Sequence, residues 1–192
     1  MVKPPPALAA GVHGSRGDPM VRFDLVTIWR IGASLPDVWQ ALTEPSRWPE
    51  WWPGLETAIE LDKDGTDGPL PDDRRRFVWK GVFPYRLTTD IRIVHVEPFR
   101  TIEAVASGDV AGTGVWRFAA RGGLTEARHE WRVRVTAPWL SVLSRLARPL
   151  VCWNHGKIME WGAHGLARRL GAGCCIVEKE PALPAEGQGQ RQ

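Results

Sequence analysis

Counted at about 100° per residue, the apolar positions between Pro138 and Leu170 collect on one side of a helix. Ala147, Val151, Asn154, Ile158, Gly162 and Gly165 form a stripe, with Leu150 and Trp161 on one flank and Met159 and Leu166 on the other. Pro149 has no N–H to give the carbonyl of Arg145, so the pattern predicts a short helix before it and a long one over Pro149–Leu170. At ~1.5 Å per residue the long helix spans about 33 Å, the width of a compact domain. Gly162 and Gly165 lower its helix propensity but clear side chains from the stripe, which suits a close approach to a sheet or a cavity. Asn154 and His155 set polar groups into that face.

Upstream the period changes. Phe23–Ile31 alternates as a strand, with Leu25, Thr27, Trp29 and Ile31 on one face. Ser34 is a good N-cap, Pro36 suits a first turn, and Val38, Trp39 and Leu42 follow at helical spacing, so a first helix is expected over Leu35–Thr43. Pro45, Pro49 and Pro53 punctuate Trp48, Trp51 and Trp52 and leave room for a short helical turn, with at least one of Trp51 and Trp52 expected at a cavity mouth. Further strands are expected over Glu56–Leu61, Arg74–Lys80, Tyr85–Val96, Thr101–Ser107, Gly114–Arg121 and Thr125–Thr136, with short Gly-bearing turns that imply antiparallel pairing. In the last of these, Ala127, His129, Trp131, Val133 and Val135 share one face, and Arg128, Glu130, Arg132 and Arg134 the other. The sheet thus has a charged outer face and an inner face on which the long helix can lie. The fold class is α+β, a helix wrapped by a curved antiparallel sheet.

The 192 residues, 43% hydrophobic and 24% charged, suffice for one domain over residues 21–170. Residues 1–20, rich in Pro, Ala and Gly, read as a disordered tail, and residues 171–192 as a flexible one. Met20, just before the first strand, is an alternative start of translation to Met1. A net charge of +3 with acids interleaved among the arginines excludes a nucleic-acid footprint. The arginine-bearing sheet face could dock on a membrane or protein, but its interspersed acids favour a plain solvated surface. No apolar run is long enough for a membrane span, so no integral membrane association is expected. Cys152, Cys174 and Cys175 have neither metal-ligand spacing nor a disulfide framework, and a reducing cytoplasm fits them.

Ile31–Leu42 with its Val38-Trp39 pair, Trp48–Leu55 (WPEWWPGL), Trp79–Leu87 (WKGVFPYRL) and the closing pattern Asn154-His155, Met159, Gly162, Gly165-Leu166 together resemble a known family. It is the START-like or Bet v 1-like (SRPBCC) superfamily, and within it the bacterial polyketide cyclase/dehydrase-like proteins. The resemblance covers residues 22–170, and the extended tails depart from it. It implies a helix-grip fold with a deep cavity between sheet and C-terminal helix, which different members use to carry lipids or aromatics or to cyclise polyketides. It supplies no single catalytic residue set.

Chemistry is therefore sought among polar groups that alternation points inward. Arg75, Tyr85, Thr89 and His129 come from strands, Asn154 and His155 from the helix. Each left unsatisfied costs roughly 1–3 kcal/mol, so they pair or line a wet cavity. Trp39, Trp52, Trp79, Trp116 and Trp131, with Thr89, Asn154, His155, Ile158 and Gly162, are the expected ligand-binding wall; flat rings suit an aromatic ligand, though any one tryptophan also serves simply as core. Two functions follow. One is a carrier of a hydrophobic lipid, aromatic or polyketide-like molecule. The alternative is an aromatase/cyclase in which His129 is the general base and Tyr85, Arg75 or Asn154 donates to the enolate. The ordinary readings are a hydrogen-bonded core histidine and a solvated strand start at Arg74-Arg75-Arg76. His129, His155 and Glu103 form no metal motif, and neither metal nor cofactor is expected. Oligomeric state is not legible.

Overall fold

In a computed structural model the chain is described over residues 21–62, 69–138, 142, 148–172 and 175–181. Alternating apolar and charged residues build seven strands in sequence: β1 (Arg22–Ile31), β2 (Leu55–Asp62), β3 (Arg74–Lys80), β4 (Arg86–Glu97), β5 (Thr101–Gly108), β6 (Val110–Arg121) and β7 (Leu124–Val135). An eighth, β8 (Cys175–Pro181), follows the last helix. Among the described residues they form one antiparallel sheet in the order β2-β3-β4-β5-β6-β7-β1-β8, curled but not closed. Irregular register between Leu55 and Thr57, Glu60 and Asp62, and Ile93 and His95 marks bulges that add to the bend. Gly122 and Gly123, at φ 55° and 84°, join β6 to β7 through two left-handed positions, the geometry a twisted hairpin needs.

Helix α1 (Leu35–Thr43) begins where the Ser34 hydroxyl accepts a bond from the Asp37 N–H. A 3₁₀ turn (Pro45–Arg47) and the one-turn α2 (Trp48–Trp51) follow, and α3 (Arg148–Arg169) lies across the concave side. The expected short helix before Pro149 falls mostly on residues 139–147, of which 142 alone is described, and of the expected tails over 1–20 and 171–192 only 171–172 and 175–181 are described.

Two expectations are corrected. The tail after Leu170 is not featureless, because Cys175–Pro181 pairs along β1 from Ile31 to Leu25. Its sequence, CIVEKEP, lacks strict alternation because an edge strand can be held by its neighbour's backbone without burying a full face. The buried arc of α3 is also turned from the expected stripe. Asn154, Met159, Gly162, Ala163, Gly165, Leu166 and Ala167 are buried, while Leu150 is exposed. α3 rests on α2, β1 and β8, which draws its contact surface toward the Met159–Leu166 flank.

The core is aromatic. Trp51 and Trp52 are both buried, their rings stacked with centroids 5.5 Å apart, so neither stands exposed at a cavity mouth. Gly165 makes room for this, since a Cβ there would lie 1.7 Å from the Trp51 carbonyl oxygen. The helix can therefore sit directly on the backbone of the α2 turn.

Candidate functional site

The curl of the sheet leaves a cavity of about 220 Å³ under α3. Its strand wall includes Phe77, Trp79, Leu87, Thr89, Ile91, Trp116, His129 and Trp131, and α3 contributes Val151, Asn154, His155, Ile158 and Met159. Trp48, Trp52 and Pro45 close it from the turn after α1. Alternation explains the strand contribution, because residues two apart share a face. Register then sets neighbours: His129 stands opposite Thr27 on β1 and Trp116 on β6, and Trp131 stands opposite Gly114.

His129 lies between two indoles, with centroids 4.4 Å from Trp116 and 5.7 Å from Trp131, both near parallel. Its Nδ1 is buried with no hydrogen-bond partner. The surface that the ring does expose belongs to the cavity wall. Burial, reinforced by charge on His155, pushes its pKa down from 6.5 to about 3. The imidazole is therefore neutral at physiological pH. An orphaned acceptor costs less than an orphaned N–H, so the tautomer with the proton on Nε2 is favoured, keeping the donor away from the buried edge.

Asn154, Tyr85, Thr89 and Arg75, also on the wall, are engaged by the protein. Asn154 Oδ1 accepts from the Val82 N–H at 2.8 Å, and its Nδ2 donates to the Tyr85 hydroxyl at 3.3 Å. This fastens the β3–β4 connection to α3, and Gly81 permits it, since a Cβ there would lie 2.3 Å from Asn154 Oδ1. Burial pushes the Tyr85 phenol up, against the opposing pull of Asn154, so it stays protonated. The Trp79 indole N–H donates to the Thr89 hydroxyl at 3.2 Å. Arg75 reaches the cavity as well, but its guanidinium lies 3.4 Å from Glu60 and 3.6 Å from Asp73. It is neither a solvated strand start nor an unclaimed cation.

Of the residues expected at the site, His129, Tyr85, Arg75, Trp52, Trp79, Thr89, Trp116, Trp131, Asn154, His155 and Ile158 come together on this wall. Trp39 does not. One step around α1 from the core-facing Val38, its ring packs 5.1 Å from Phe118 and 5.4 Å from Phe99. Gly162 is a spacer beneath the Trp52 indole and not part of the wall. Sequence reasoning passed over the two carboxylates around Arg75. Glu60 had a signal, because it is the register partner of Arg75 across the β2–β3 pair. Glu103 is absent from the wall, and among the described residues no three metal-ligating side chains gather.

Residues 23–171 match the family described as polyketide cyclase/dehydrase and lipid transport, and the chain belongs to it. No curated protein sequence matches the chain. Among solved structures it is similar to the Zhui aromatase/cyclase from Streptomyces sp. R1128, at 13% identity over 79% of this chain and 94% of that one, with a TM-score of 0.61. It is also similar to a START superfamily protein from Mycobacterium smegmatis, at 16% identity over 79% and 97%, TM-score 0.58. A third is the di-domain ARO/CYC BexL from the BE-7585A biosynthetic pathway, at 20% identity over 80% of this chain and 51% of that one, TM-score 0.60. These likenesses show the helix-grip fold of the START/Bet v 1-like superfamily. Among the described residues no helix is long and apolar enough to cross a membrane.

Proposed function

We propose that the protein binds and carries a compact hydrophobic molecule with flat rings in the cavity under α3. The observation that carries this reading is the wall itself. Trp48, Trp52, Trp79, Trp116 and Trp131 surround a space of about 220 Å³. Asn154, Thr89 and Arg75 are already satisfied within the protein. Such a wall offers area and shape with few groups left to drive a reaction. The volume lies below the ~300–1,000 Å³ of drug-sized sites, which favours a small ligand. The three cysteines, without a disulfide framework, fit work in a reducing cytoplasm. Native mass spectrometry of protein purified from its own host tests the reading. A retained aromatic or lipid-like mass is expected, and protein that stays bare after exposure to host extract argues against it.

A second reading, polyketide cyclisation, is favoured by His129 and a protonated Tyr85 both meeting the cavity and by family membership. A base works best with a pKa near the operating pH, and His129 at about 3 is far below it. The carrier reading therefore stands ahead. Turnover of a poly-β-ketone that falls roughly 100-fold in His129→Gln, with affinity held within a few fold, would reverse that order.

A further inference from the structure

We infer that the cavity selects for uncharged ligands and refuses carboxylates, and that Glu60 and Asp73, which do not line it, impose this selection by occupying Arg75. The inference rests on reading the cavity as a ligand site.

Among the described residues Arg75 is the one lysine or arginine on the wall. Its side chain is only 12% exposed, and its Nη2 approaches both Glu60 Oε1 and Asp73 Oδ2. One cation is thus shared by two carboxylates. An anion entering the apolar space gives up its hydration, which costs several kcal/mol unless a cation is waiting for it. Here the cation has been claimed.

Both carboxylates are held in place by the fold. Glu60 is the register partner of Arg75 on β2. Asp73 precedes β3, and its Oδ2 accepts from the Leu70 N–H at 3.0 Å while its backbone is paired to Ile93. The remaining wall groups Thr89, Tyr85 and Asn154 are uncharged, so none of them supplies a cation for an anion. Two histidines, His129 and His155, also face the cavity, so the test is made at about pH 8, above the ordinary histidine pKa of ~6.5.

Two near-isosteric probes separate the possibilities: 2-acetonaphthone, neutral, and 2-naphthoate, in which the methyl is replaced by a charged oxygen. Calorimetric titration of the wild-type chain is expected to show the ketone binding at least about 30-fold more tightly than the acid. In Glu60→Gln the ratio should fall by about tenfold or more through tighter naphthoate binding, with the ketone affinity within about threefold of wild type. Asp73→Asn should act the same way, and retained ketone binding reports that either variant is folded. Equal wild-type affinities for the two probes overturn the inference without need of a variant. So does an unchanged ratio in a variant that still binds the ketone. In either case the binder reading survives. A wild-type chain that binds neither probe overturns that reading, and this inference with it.

Discussion

Gly162 on α3 faces the Trp52 indole so closely that a Cβ in its place would lie 2.3 Å from the ring. The indole N–H donates to the Ile158 carbonyl at 2.8 Å, so Trp52 is pinned to the helix and cannot slide away cheaply. In an open helix Gly→Ala would gain roughly 1 kcal/mol. Gly162→Ala should instead destabilise the protein by about 1–3 kcal/mol through overpacking, read as a lower urea midpoint at unchanged slope. A stabilised variant would contradict the close approach.

The pKa of His129 makes stability depend on pH. The unfolded chain takes up the proton near pH 6.5 and the folded one only near 3, so between those values the unfolded state holds the extra proton. Stability contributed by the neutral buried ring is whole above pH 6.5 and is lost as pH falls toward 3, at up to about 1.4 kcal/mol per pH unit. From pH 6.5 to 5 the wild type should lose about 2 kcal/mol more than His129→Phe in urea unfolding. Parallel curves for the two proteins would place His129 in contact with bulk water.

Asn154 is the fastener between α3 and the segment from Gly81 to Tyr85. Val82 is partly open to solvent, so water can take over its N–H, and Asn154→Ala should cost only about 1 kcal/mol globally. The local effect should be larger. Hydrogen exchange at the Val82 amide is expected to quicken by about tenfold or more while β6 and β7 amides keep their protection.

Gly114 lies beneath Trp131, where a Cβ would come 2.7 Å from the indole. Gly114→Ala should tilt that ring off His129 and into the cavity, weakening 2-acetonaphthone binding by about tenfold with near-native circular dichroism. Unchanged affinity would mean that the ligand space does not extend over β6 and β7.

Strand pattern made most of this fold legible before any coordinates. Arg74–Lys80 and Leu35–Thr43 fall where alternation and the Ser34 cap place them, and the inward face of β7 puts His129 beside Trp131 on the cavity wall. What escaped depended on chain distant in sequence. β8 is held by a neighbour that begins the domain, the rotation of α3 follows from β8 and α2 packing against it, and Trp39 was misplaced by one step around a short helix. The neutralisation of Arg75 was hidden for the same reason. Glu60 and Arg75 meet only once a strand register exists, and local composition around Arg74-Arg75-Arg76 reads as a basic run.

The place of β1 between β7 and β8 has a consequence for how the protein is made. Among the described strands β1 leaves the ribosome first, and it has no sheet partner until Leu124–Val135 emerges, while its second flank waits for Cys175–Pro181. At roughly 5–20 residues per second this is a delay of several seconds, during which Phe23, Trp29 and Ile31 have no sheet to cover them. The meander from β2 to β6, whose strands each pair with the next in sequence, can assemble meanwhile. The beginning of the domain is thus the last part of the sheet to be sealed, and nascent chains halted before β7 will carry their most apolar strand uncovered.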